Sequence, residues 1–97
     1  MKPEHIALGE YYFNKKSISD AAKEAGIEEE ELANLIDSID KKAVEALSEF
    51  YRKGGSLGRV AENHGLTRLE IFGYMHKHGY NTNYDDKKSK EKIMSAL

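Results

Sequence analysis

The side chains in this chain that could do chemistry are cations and hydroxyls, gathered in its second half. Arg52, Lys53, Ser56, Arg59, Thr67, Arg68, His76 and Lys77 follow one another closely enough to share one small unit. Such residues suit a polyanion: lysine and arginine neutralise phosphates, hydroxyls and backbone amides donate to them, and an arginine fork also matches the acceptor pair on the edge of guanine. Arg68 fits either role, and its residue type alone leaves both open. Nucleophilic and metal chemistry find less to work with. There is no cysteine, hence no disulfide, thiolate or Cys-type zinc site. No Gly-rich phosphate loop, nucleophile elbow or H-E-x-x-H stands in the chain. His64, His76 and His78 are the remaining metal candidates, but His76 and His78 are two apart and leave a helix on different sides, with no third ligand placed by spacing. The expectation is a binding protein, not an enzyme, with no cofactor and no metal.

The elements that must position these residues show up as a repeat. Shifting the sequence against itself by 39 positions lays ALGEYYFNKKSISDAAKEAGIEEEEL onto ALSEFYRKGGSLGRVAENHGLTRLEI. Ala7/Ala46, Leu8/Leu47, Glu10/Glu49, Tyr12/Tyr51, Ser17/Ser56, Ala22/Ala61, Gly26/Gly65 and Glu31/Glu70 are identical, and Tyr11/Phe50, Ile18/Leu57, Ala21/Val60, Ile27/Leu66 and Leu32/Ile71 keep their chemistry. The chain reads as two copies of one unit.

Each copy predicts three helices. Leu8, Tyr11 and Tyr12, then Leu47, Phe50 and Tyr51, form an apolar stripe at helical spacing. The first helix stops at Asn14-Lys15-Lys16 or Gly54-Gly55, and Ser17 and Ser56 stand at N-cap positions. A short second helix ends at Gly26 or Gly65, glycine being the residue that takes a positive φ at least cost. In the second copy Thr67 and Glu70 form a capping box that starts a third helix running to about His78, closed by Gly79. A small alanine on helix two, glycine in the turn and an aliphatic residue on helix three (Ala61, Gly65, Ile71; Ala22, Gly26, Leu32) is the packing pattern of a helix-turn-helix. The expected fold is therefore all-α, a tandem repeat of two three-helix helix-turn-helix units with a short C-terminal helix. One domain of 1–97 would hold a first repeat over 5–40, a second over 44–80 and an extension over 81–97. Between Ile27 and Lys53 there is neither glycine nor proline, so one helix joining the copies and a break near Ser38 and Asp40 both remain open. The tail KKSKEKIMSAL predicts a helix with Ile93, Met94 and Leu97 on one side, either packed back or frayed.

The second half of the chain also carries a family resemblance. From about Tyr51 to Ile93 the pattern R-x-G-x-S-L-G-x-x-A-x-x-x-G-L-T-R-x-E, followed by H-G-Y-N-T-N-Y-D-D, resembles the small prokaryotic group called uncharacterised protein family 0175. Ser56-Leu57-Gly58, Gly65-Leu66-Thr67-Arg68 and the exit from Gly79 to Asp85 are its most specific parts. The resemblance implies a DNA-binding helix-turn-helix protein similar to antitoxins. At its front this chain departs from the family, with a second helical copy in place of a short strand-like segment.

Charge separates the two copies. Over 17–40 one lysine faces eight acids, a net charge of −7; over 56–79 three cations face two acids, a net of +1. A helix opening with Glu28-Glu29-Glu30-Glu31 is repelled by phosphates, although the same acids suit its positive N-terminal dipole. The second copy is thus the DNA-binding candidate, with Lys87, Lys88, Lys90 and Lys92 able to add attraction from the tail. Inward packing of Leu66, Ile71 and Tyr74 or Met75 leaves Leu69 and Phe72 near the face that would enter a groove. Two large apolar groups there more often meet protein, so they are candidates for a partner surface, whether a cognate toxin or a second copy in a homodimer, or for cover by the C-terminal segment. No apolar run of membrane-spanning length and no cleavable leader pattern is present, so the expected location is cytoplasmic. The leading expectation is a regulator or antitoxin-like autoregulator acting on double-stranded DNA; the alternative is a protein-interaction module without DNA.

Overall fold

Proline at the first helical position, a serine cap, left-handed glycines and a capping box mark most of the helix boundaries. A computed structural model of the chain describes residues 2–81 and 86–96. Among them the helices are α1 (Pro3–Tyr12), α2 (Ile18–Ala25), α3 (Glu29–Lys53), α4 (Leu57–Asn63), α5 (Arg68–His78) and α6 (Lys87–Ala96), and no strand is present. Pro3 begins α1 where a missing amide costs nothing. Ser17 caps α2 by accepting from the Asp20 amide at 3.1 Å. Thr67 and Glu70 close the reciprocal box at α5, with Glu70 Oε1 accepting from the Thr67 amide at 2.7 Å. Ser56 occupies the expected N-cap position of α4, but its side chain makes no cap bond.

The question left open between the copies is answered by α3, a single helix of 25 residues without a break at Ser38 or Asp40. Its length follows from composition: no breaker interrupts it, acids fill its first turn, and Arg52 and Lys53 fill its last, each end matched to the helix dipole. Leu32, Ile36, Ile39, Ala43, Ala46, Leu47 and Phe50 recur at three- and four-residue spacing and are all buried. The other helices pack around this rod. α1 lies on α2, α3 and α5; α4 and α6 lie on α3; α5 is held by α1, α3 and α4. One core cluster includes buried side chains from all six, ending at Ile93 of α6.

Some positions 39 apart do the same local work, although Ser17 and Ser56 do not. Gly26 and Gly65 take φ of +73° and +77°. The Ile27 amide bonds the Ala22 carbonyl at 3.0 Å as the Leu66 amide bonds Ala61 at 2.9 Å, and Leu32 to Glu28 matches Ile71 to Thr67 at 3.1 Å each. Ala22 and Ala61, like Leu32 and Ile71, are buried. The C-terminal helix packs back through Ile93 and Ser89, while Met94 stays half exposed; Leu97 and residues 82–85, part of the expected turn-rich exit, lie outside the described residues.

Two helices meet closely where α1 crosses α5. A Cβ added at Gly73 would stand 2.9 Å from Tyr12 Cβ and 3.2 Å from its Cγ, so the crossing is possible because residue 73 has no side chain. Tyr12 is buried, and its hydroxyl donates to Asp40 Oδ1 at 2.7 Å, satisfying the polar end of a core aromatic. Burial pushes the Asp40 carboxyl above the ordinary aspartate range, against the opposing pull of the Tyr12 bond and of the charges at His78 and Lys77. Because the folded-state pKa is raised, its stabilising contribution is complete below the unfolded pKa of about 4 and is lost as pH rises through the folded value. Asp40→Asn keeps an acceptor for Tyr12 and removes the buried charge. Its melting temperature should exceed that of the wild type at pH 7, and the gap should close on acidification below the carboxylate range, as thermal melts across pH would record.

Candidate nucleic-acid interface

The α4–α5 pair carries most of the candidate contacts. α4 is reached through Gly54-Gly55, which hold φ of +75° and +95° and turn the chain sharply out of α3. Lys53 at the end of α3, Ser56 before α4 and Arg59 in its first turn are all exposed. Arg68 opens α5 and is also exposed, yet its guanidinium does not stand away from the helix pair. It lies over Gly58 of α4, with Nε 3.2 Å, Nη2 3.4 Å and Cζ 3.6 Å from where a Cβ would be. The structure thus brings Arg68 to the same turn of α4 as Arg59 and two residues beyond Ser56.

Other candidates are drawn elsewhere. Arg52 bonds the Ser48 carbonyl through Nε at 3.3 Å and lines an open groove of ≈ 500 Å³ with Glu45, Glu49, His64 and Met94. In that groove the two ring nitrogens of His64 face Glu45 at 4.0 Å and Glu49 at 3.3 Å, and Arg52 shares the lining with both acids. Lys77 turns toward α1, its Nζ 4.1 Å from the centre of the Tyr11 ring, a cation–π contact that withdraws it from the open face of α5. His76 is exposed but lies beside Phe13, ring centres 5.4 Å apart. The Thr67 hydroxyl accepts from the Glu70 amide at 3.3 Å, which makes it a cap before it is anything else. Burial lowers the pKa of His78, which packs against Tyr74 with ring centres 4.4 Å apart. Among the described residues no three His, Asp or Glu side chains converge as metal ligands.

Ile71, Tyr74 and Met75 point inward as their spacing requires, and Leu69 and Phe72 are 36% and 37% exposed. Neither is covered by α6, which packs on α3 instead. Of the alternatives open for them, cover by α6 is thus not what the fold provides. Leu69 faces α1, where His5, Ile6, Gly9, Glu10, Phe13 and Asn14 complete a mostly apolar groove of ≈ 390 Å³. Ile6 and Phe13 are 39% and 37% exposed, so α1 and α5 together present four large apolar side chains to solvent. Sequence reading found the α5 half of this patch and missed the α1 half. The signal was there, since Ile6 and Phe13 fall on one helical face of α1, well around from the buried Leu8 and Tyr12.

Gly58 was missed as well, and there too a signal existed. A glycine inside a short helix, at φ that any residue adopts, weakens the helix and so points to a close neighbour. No family model, no curated protein and no solved structure matches the chain. Among the described residues no helix is long and apolar enough to cross a membrane.

Proposed function

We propose that the chain is a small DNA-binding regulator built from tandem helix-turn-helix units, in which α4 and α5 meet duplex DNA and the acidic first copy serves as scaffold. The observation that carries this reading is the α4–α5 unit itself. It combines a left-handed glycine turn and a capped second helix with three exposed cations, Lys53, Arg59 and Arg68, at its entrance. The matched turns at Gly26 and Gly65 support the tandem arrangement, and the net charge of −7 over 17–40 favours the second copy for the phosphate-facing role. An antitoxin-like autoregulator, as the resemblance to uncharacterised protein family 0175 implies, is the form of regulator proposed. The purified protein should bind duplexes of randomised sequence with an affinity that falls linearly on a log–log salt plot. Absence of salt-dependent binding removes the reading.

A second reading rests on the exposed apolar side chains Ile6, Phe13 and Leu69, which line one groove, and on the exposed Phe72 of the same helix as Leu69. Exposed apolar groups gathered at a groove mark contact surfaces, and a protein partner such as a toxin, or a second copy, would cover them. Sedimentation of the same preparation separates the cases: a protein that binds no DNA but self-associates belongs to the interaction-module class.

A further inference from the structure

We infer that Arg68 grips the phosphate backbone and does not read a base, and that Gly58 is the residue that positions it; the inference rests on the DNA-binding reading above. Gly58 sits inside α4, a helix of seven residues. It has no positive φ, so no turn requires glycine there. In such a position glycine weakens a helix relative to alanine. What its missing side chain admits is the guanidinium of Arg68, whose Nε, Nη2 and Cζ lie at 3.2, 3.4 and 3.6 Å from the Cβ position. The two nitrogens lie nearer than the carbon between them, so the guanidinium turns its Nε–Nη2 edge toward α4 and leaves its Nη1 end farther out.

The contact fixes where the fork can act. A base-reading arginine must project from the exposed stripe of its helix into the groove, whereas Arg68 is laid back across the preceding helix. In helix-turn-helix docking that preceding helix crosses the backbone. The exposed stripe of α5 that continues from Arg68 is Leu69, Phe72 and His76, two of them without a hydrogen-bonding group. A planar fork held at the surface of α4 beside the exposed Arg59 matches two phosphate oxygens bidentately. The first copy supplies an internal contrast. At the equivalent positions it has Ser19 in place of Gly58 and Glu29 in place of Arg68, so the glycine and the cation are absent together in the copy whose charge opposes DNA.

The test is a double-mutant cycle on a randomised duplex pool, with affinity measured against salt and the bound sequences counted. Arg68→Ala should weaken binding to all sequences by the same factor, roughly tenfold, and lower the log–log salt slope by about one while leaving the ranking of sequences intact. Gly58→Ala should lose part of that affinity with an unchanged or higher melting temperature, because the atom it displaces is the free end of a flexible side chain. In the Arg68→Ala background Gly58→Ala should lose nothing further. A changed sequence ranking in Arg68→Ala would make Arg68 a base reader, and an equal loss from Gly58→Ala in both backgrounds would end its positioning role. Failure of the wild type to bind the pool at low salt overturns the DNA reading itself, and this inference with it.

Discussion

Gly73→Ala should lower the melting temperature by roughly 5 to 15 °C, a large change for a single methyl group. On propensity alone, alanine stabilises a helix interior by roughly 1 kcal/mol relative to glycine. Here the added Cβ would lie 2.9 Å from Tyr12 Cβ and 3.2 Å from Tyr12 Cγ, atoms fixed close to the α1 backbone and unable to swing aside. The helices must separate instead. Overpacking of this kind costs about 1 to 3 kcal/mol and sometimes more, and each kcal/mol shifts the melting temperature of a domain this size by roughly 4 to 8 °C. Separation also pulls the Tyr12 hydroxyl from Asp40, which leaves a half-buried carboxyl without that donor. Thermal melts monitored by circular dichroism decide it. An unchanged midpoint would mean that α1 does not cross α5 at Gly73.

The comparison with Gly58→Ala sharpens the point. Both glycines lie inside helices at ordinary φ, and the same substitution is expected to act with opposite sign on stability. At residue 58 the new methyl meets the mobile end of Arg68; at residue 73 it meets the root of a buried tyrosine. The sequence could flag both glycines as unusual but could not tell them apart, because the difference lies in what each faces across the fold.

That boundary between local and tertiary information runs through the whole molecule. Ser17, Gly26, Gly65, Thr67 with Glu70, and Gly79 were legible because caps and left-handed turns depend on a few adjacent residues. The inward set of Ile71, Tyr74 and Met75 was legible from spacing alone. The continuity of α3 was not, since absence of a breaker permits a long helix without requiring one, and burial of Ile36, Ile39 and Ala43 along its middle decides it. The candidate interface was read less well for a related reason. Residue type identifies a cation, but Lys77 sits over the Tyr11 ring, distant in sequence, and Arg52 is drawn back to the Ser48 carbonyl of its own helix in the groove of Glu45, Glu49 and His64. What remains free for phosphate is the smaller set of Lys53, Arg59 and Arg68.

Arg59→Glu tests that smaller set most directly, because the fold and the proposed function should respond in opposite directions. Arg59 is exposed in the first turn of α4, a turn that contains no acid. An acid near a helix N-terminus is favourable by about 0.3 to 1 kcal/mol, and no packing is lost at an exposed site, so the melting temperature should hold or rise. Phosphate meets the reverse situation. One cation is removed and an anion stands in its place beside Gly58, where Arg68 rests, so affinity for any duplex should fall by at least about tenfold and the salt slope by about one or more. Some of that loss would come from pairing between the new carboxylate and Arg68. Arg59→Gln, which removes the charge without supplying a partner, isolates the direct contribution and should retain an intermediate affinity. If Arg59→Glu binds the duplex pool as the wild type does, at every salt concentration, then α4 does not face the backbone and the assignment of the second copy as the DNA-binding unit fails with it.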